Sequence, residues 1–346
     1  MKHAILLVGH GSRDPEGNEE LLAFAKRVEA ELDREFPIVE TCFLEFAAPS
    51  IPHGINNCVA RGAEHVTLVP VILFGAGHSK LHIPHEIDEA KERYPHVGFS
   101  YGKPIGVHAK ALDILTSRLG QAGFASPAEG RSDDAVLIVG RGSSDPDANS
   151  DLCKIARLLY EQVPVKTVET CYIGVTEPDF AGGVARCVQL GAKRIYILPY
   201  FLFTGVLIKR MEAMTESFSQ QYPDVPMVLA EYFGFHDNLV TILRERAVEA
   251  ASGETKMNCD LCKYRLAAME DHHHHHHHDH DHDHHHEHHD HEHHDHEHHD
   301  HEHHDHEHHD HEHHDHEHHD HEHHDHEYHD HEHDHEHDHE HEEARK

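Results

Sequence analysis

The chain writes one alternation of apolar runs and amphipathic stretches twice. AILLV at 4–8 is an unbroken apolar run with no period of two, and it predicts a short strand buried on both faces. EELLAFAKRVEAELDREF at 19–36 spaces its apolar residues as a helix does. IVETCFLEF (38–46) then predicts a strand, SIPHGINNCVARG (50–62) a helix and HVTLVPVILF (65–74) a strand. KLHIPHEIDEAKERY (80–94) predicts a helix, VGFSYG (97–102) a short strand and VHAKALDILTSRLG (107–120) a helix. Strands alternating with helices predict a parallel sheet with right-handed crossovers. Ligands of such sheets bind beyond the carboxyl ends of the strands.

The second copy is explicit. Residues 39–74 align with 168–203 at an offset of 129, so that Cys42 meets Cys171, Cys58 meets Cys187 and Pro70 meets Pro199. VGHGSRDP at 8–15 aligns with VGRGSSDP at 139–146 at an offset of 131. An internal duplication predicts two α/β halves, 1–125 and 135–252, joined by the polar linker 126–134.

Three polar groups fall at predicted strand ends of the first half. His10 sits in the Gly–His–Gly turn after the first strand, Glu45 closes the second, and His78 follows the third inside FGAGH at 74–78. Each alone has an ordinary reading: a turn histidine, a surface carboxylate, a solvated loop histidine. The copy discriminates, because there His10 becomes Arg141, Glu45 becomes Gly174 and His78 aligns with Leu207. The scaffold was duplicated without the candidate chemistry, which predicts one site built mainly by the first half. Two neutral imidazoles and a carboxylate suit a borderline divalent metal such as Co, Ni, Zn or Fe. Imidazole also accepts a proton near neutral pH. Insertion of a metal into a tetrapyrrole needs both, since two pyrrole N–H protons leave as the ion enters.

LLVGHGSRDPEGNEEL, FLEFAAPSI and VPVILFGAGHSKLHIPHEI resemble the sirohydrochlorin chelatases over residues 1 to about 250. The resemblance implies two tandem flavodoxin-like, chelatase-like halves facing a cleft, and metal insertion without ATP. It implies that His10 is proton acceptor and metal ligand and that His78 is the second ligand. Glu45 and the turn Leu73, Phe74, Gly75, Ala76 and Gly77 would line the tetrapyrrole pocket. The long, His-tailed form most resembles the members that insert Co2+ into sirohydrochlorin in anaerobic cobalamin biosynthesis; iron insertion for sirohaem is the near alternative. The substrate carries many carboxylates, and Arg13 and Lys80, close in sequence to the two histidines, are candidates to offset them.

Composition divides the chain a second way. The formal charge is −36, with 65 acidic residues against 29 basic and 53 histidines. Only ten histidines precede Asp271, so 271–346 holds 43 of them and a charge of −27, while the first 270 residues carry −9. A segment of His, Asp and Glu buries nothing, which predicts disorder, and its imidazoles predict metal storage or delivery. A solubilising extension is the plain alternative. The net-negative body excludes nucleic acid as a natural partner. No apolar run approaches the roughly 20 residues of a membrane span, AILLV is too short for a signal-peptide core, and the expected location is cytoplasmic.

MNCDLC, in the segment 253–270, contains a CxxC at Cys259 and Cys262. Two thiolates are half of a four-ligand site. A second subunit contributing the same pair would complete a [4Fe–4S] site in a homodimer; two ordinary thiols are the alternative. The other five cysteines fall in predicted core elements, which favours packing roles. Two further readings of the whole chain stay open. One is a metal-buffering protein whose tail is the working part. The other is a phosphohydrolase using the GHGSR turn, weakened by the lack of a second Arg–His pair or a GxSxG context.

Overall fold

The computed structural model describes residues 2–253; Cys259, Cys262 and the segment 271–346 lie outside them. The first half runs β1 (His3–Gly9), α1 (Pro15–Leu32), β2 (Ile38–Phe43), α2 (Ile51–Ala60), β3 (His65–Val71), α3 (Gly77–Arg93), β4 (Gly98–Tyr101) and α4 (Ala109–Gln121). The second repeats it as β5 (Ala135–Gly140), α5 (Pro146–Gln162), β6 (Thr167–Tyr172), α6 (Phe180–Gln189), β7 (Ile195–Pro199), α7 (Val206–Gln221), β8 (Met227–Leu229) and α8 (Asp237–Ala251). Each half is an all-parallel four-stranded sheet, ordered β2-β1-β3-β4 and β6-β5-β7-β8. This is the flavodoxin-like order without its fifth strand, and the chain reverses direction across the sheet between β1 and β3. No helix among the described residues is long and apolar enough to cross a membrane.

Strand chemistry follows burial. Residues 4–8 of β1 and 135–139 of β5 are all fully buried, as runs covered on both faces must be. Pro70 has no N–H to give a ladder, yet it sits inside β3. The β3–β4 register ends at Leu68↔Tyr101, so Pro70 lies beyond the end of that neighbour.

Helix starts follow their caps. Asp14 accepts from the Glu16 N–H with Pro15 at the first helical position, so α1 begins four residues before the first apolar repeat. The same Asp–Pro pair opens α5 at Asp145 and Pro146.

Two of the covering helices, α4 and α8, are exchanged between the halves. The outer face of the first sheet is covered by α2 and α3, and that of the second by α6 and α7. The inner faces share one core, in which α8 packs on β3 and β4 and α4 packs on β7. Arg246 of α8, 8% exposed, donates from Nε to the Pro104 carbonyl oxygen at 3.1 Å and from Nη2 to that of Ile105 at 2.9 Å. In return Arg118 of α4 donates to the Phe233 carbonyl oxygen at 2.8 Å, and Phe124 meets Tyr196 of β7 edge-on.

Candidate functional site

The site is assembled where the β1–β2 pairing runs past both strands. The second strand ends at Phe43, two residues short of Glu45. Pairing continues through the loop: Leu44 N–H donates to the Gly9 carbonyl oxygen at 2.8 Å and Glu45 N–H to that of His10 at 3.1 Å. Phe43 N–H donates to the Pro49 carbonyl oxygen at 2.8 Å and closes the base of the loop. His10 and Glu45 are therefore held side by side by backbone bonds. Gly11 is indispensable to this approach, because its φ is +89° and a Cβ there would stand 1.8 Å from the Glu45 carbonyl oxygen.

The surroundings of His10 assign its tautomer. Nδ1 faces the Gly11 carbonyl oxygen at 3.2 Å and Glu45 Oε1 at 3.5 Å, both acceptors, so the ring carries its proton there. The Nε2 lone pair is left outward, and Arg141 Nη1 lies 3.4 Å from it. The His10 and Glu45 side chains are 28% and 30% exposed, so the pair is accessible without being fully solvated.

The 73–77 turn follows β3, the strand beside β1, so the backbone brings it to the same sheet edge as His10. Its start is fixed by the Ile105 and Gly106 N–H groups, which donate to the Ile72 and Leu73 carbonyl oxygens. Phe74 stacks on Tyr200 of the second half at 5.1 Å between ring centroids and 6° between planes. Gly75 would bring a Cβ to 3.5 Å from Lys80 and Pro104, whereas one at Gly77 would meet open space. Ser79, buried, bonds the Ala76 N–H and carbonyl oxygen through its hydroxyl and fixes the first turn of α3. His78 is the second residue of that helix. Backbone topology thus brings His10, Glu45 and the residue after Gly77 to the switch point of one sheet, where such folds bind ligands.

The basic residues near the histidines are otherwise engaged. Lys80 Nζ lies 2.8 Å from Asp145 Oδ2 and 3.0 Å from Asp147 Oδ2, across the two halves, so it is a structural tie and not a cation offered to substrate. Arg13 lies over the Phe46 ring, 5.0 Å from its centroid. Sequence periodicity missed Phe46, which is 52% exposed and has a φ of +62°, a costly conformation for an aromatic residue. The only signal in the sequence was an aromatic placed directly after Glu45. Its counterpart Val175 is also exposed.

Other histidines have structural work. His108 and His236 cap α4 and α8, each accepting an N–H two residues on at 3.1 Å. His3 and His65 open β1 and β3 at the opposite end of the sheet from His10. Their rings lie 4.5 Å apart over Thr67 and Ser100. Burial, helped by His65, pushes the His3 pKa down to about 4, and burial lowers that of His65.

Cys42, Cys58, Cys171 and Cys187 are buried, and desolvation holds their thiols well above the usual range, about 12 for Cys58 and Cys187. They pack rather than ligate. Cys153, expected in the core, is exposed on α5. Among the described residues no group of three or more His, Cys, Asp or Glu side chains is placed to hold a metal.

Known proteins match this arrangement. The CbiX family profile fits residues 4–122 and again 135–250. A sirohydrochlorin cobaltochelatase of Priestia megaterium is 57% identical over 274 residues, covering 78% of this chain and 88% of that protein. A sirohydrochlorin ferrochelatase of the same organism is 40% identical over 243 residues, covering 69% and 87%. Among solved structures, SirB from Bacillus subtilis with Fe3+ superposes with a TM-score of 0.65 at 37% identity, covering 73% of this chain and 98% of that one.

Proposed function

The chain belongs to the CbiX family, and from that premise we infer that it is a metal chelatase inserting Co2+ into sirohydrochlorin. The observation that carries this is the 57% identity to a cobalt-inserting relative, against 40% to an iron-inserting one of the same organism. The reaction joins a divalent ion to four ring nitrogens and releases two protons, and it proceeds without ATP, as the family resemblance implies.

The working half is 1–125, and the second half, 135–252, roofs it. His10 serves as metal ligand through Nε2, and once the ion has passed to the ring nitrogens the same lone pair accepts one of the two released pyrrole protons. Glu45 and Gly11 support this role by keeping the ring proton on Nδ1, which orients the lone pair and raises its basicity. His78, from the adjacent strand end, is the second ligand. Leu73, Phe74, Gly75, Ala76 and Gly77 line the tetrapyrrole pocket together with Glu45, and Phe46 offers the macrocycle an exposed aromatic face. The stacking of Phe74 on Tyr200 supports a rigid pocket wall.

Outside the described residues, the 43 histidines of 271–346 form a reservoir that raises local Co2+. Cys259 and Cys262 hold half of a [4Fe–4S] site that a second copy completes. Among the described residues, four of the five thiols are buried and not available as the missing ligands, Cys153 alone being exposed, which supports this division. The protein acts in the cytoplasm.

The test is spectral. The full chain is mixed with sirohydrochlorin and Co2+, and the macrocycle absorbance is followed, with His10→Ala, His78→Ala and Fe2+ in parallel. Rapid metallation that disappears in either variant is expected, with Co2+ faster than Fe2+. A wild-type rate no higher than the uncatalysed one overturns the reading and leaves metal buffering by the tail.

A further inference from the structure

The second half repeats the loop geometry of the first with different chemistry. Arg141 occupies the position of His10, and Gly142 after it has a φ of +84°, close to the +89° of Gly11. Glu45, however, has become Gly174. A Cβ there would stand 2.4 Å from the Arg141 carbonyl oxygen, so the position that gives His10 its carboxylate is closed to any side chain in the copy. The duplicated site has gained a permanent cation and lost the anion beside it.

Other cations between the halves are matched by acids. Lys80 meets Asp145 and Asp147, and Lys209 meets Asp14 and Glu16. Arg141 is exposed, and among the described residues its contact is with a neutral acceptor, His10 Nε2, with no carboxylate ion-paired to it. A guanidinium is the residue chemistry best suited to bidentate carboxylate recognition.

We propose that Arg141 is a substrate-binding residue supplied by the second half, which captures a peripheral carboxylate of the tetrapyrrole. The proposal rests on the chelatase reading. One lone pair cannot serve a guanidinium and a metal ion together, so Co2+ arriving at His10 displaces Arg141, and the displaced cation needs an anion. The substrate brings it. Carboxylate capture also removes the repulsion between guanidinium and metal, so metal and macrocycle favour one another's arrival. A body of net charge −9 thereby admits a polycarboxylate at one chosen point.

The experiment compares full-length wild type with Arg141→Gln and Arg141→Lys. KM for sirohydrochlorin is expected to rise about 10- to 100-fold in Arg141→Gln, with partial rescue by Lys and kcat within a few-fold. With the fully methyl-esterified macrocycle, wild type and Arg141→Gln should become equal. Co2+ binding without tetrapyrrole should be unchanged or tighter in Arg141→Gln. An unchanged KM, or a fall in kcat alone, overturns the proposal. Equilibrium binding of metal-free sirohydrochlorin, read by its absorbance, tests Arg141 even if wild type proves not to metallate, so failure of the chelatase reading shows separately as a wild-type rate no higher than background.

Discussion

Lys80 of the first half and Asp145 of the second meet at 2.8 Å, and the contact is reciprocated, Lys209 lying 2.7 Å from Asp14. Both acids are N-caps, of α5 and α1, so each half holds the start of the other's first helix. The two ties differ in burial: the Lys80 and Asp145 side chains are 20% and 4% exposed, those of Lys209 and Asp14 51% and 11%. Burial disfavours the Lys80 ammonium, but the hydrogen bonds it donates to Asp145 and Asp147 outweigh it and leave its pKa above the usual value.

Lys80→Met should therefore lower stability by about 1–2 kcal/mol, because it strands a buried carboxylate. Lys209→Met should have a smaller effect, since the Lys209 ammonium is half exposed and Asp14 is less deeply buried than Asp145. Urea unfolding of both variants measures the difference, and equal losses would contradict the burial argument.

Gly11→Ala should abolish metallation and destabilise the fold by about 2 kcal/mol or more, since the new Cβ meets the Glu45 backbone as well as an unfavourable φ. Gly123→Ala is the control. Its φ is +91° with nothing within 4 Å of the added Cβ, so it should show the backbone penalty alone, about 1 kcal/mol, and retain activity. Melting temperature and initial metallation rate, measured together, check both.

Glu45→Gln keeps an acceptor near His10 Nδ1 but removes the charge. Metallation or Co2+ affinity should fall about 10- to 100-fold, as for outer partners of metal-binding histidines. The melting temperature should stay within a degree or two, because the loop is held by backbone bonds. A large thermal loss would make Glu45 structural instead.

The His3–His65 pair makes stability pH-dependent. The folded His3 pKa, about 4, lies below its usual 6.5, so the folded state refuses a proton that the unfolded chain accepts. The contribution is complete above pH 6.5 and is lost as pH falls towards about 4. Partial exposure screens the effect, and about 1 kcal/mol should be gone by pH 5. His3→Asn should lose less on acidification, which urea midpoints at pH 7.5 and 5 would show.

Much of this architecture was legible because it is written in short-range pattern. AILLV and its counterpart AVLIV are strands because every residue in them is buried. The duplication is legible in the sequence itself, as the aligned GHGS and GRGS turns and the paired cysteines show. Other features were not local. The helical spacing of 107–120 reveals an apolar face but not which sheet it covers, and it covers the other half's. IVETCFLEF reads as one strand reaching past Glu45, whereas the bond from Phe43 to Pro49 turns the chain out after six of its nine residues. Lys80 looked available for substrate because its partners lie 65 and 67 residues away. The same distance hid the approach of Arg141 to His10.

The exchange of α4 and α8 makes the molecule a weave and not two beads on a string. Severing the peptide between 126 and 134 would yield fragments that each carry the roof of the other's sheet. Neither can leave without uncovering part of its neighbour's inner face, so packing holds the halves together even where no covalent bond joins them. That packing keeps the second half beside the first, with Arg141 against His10.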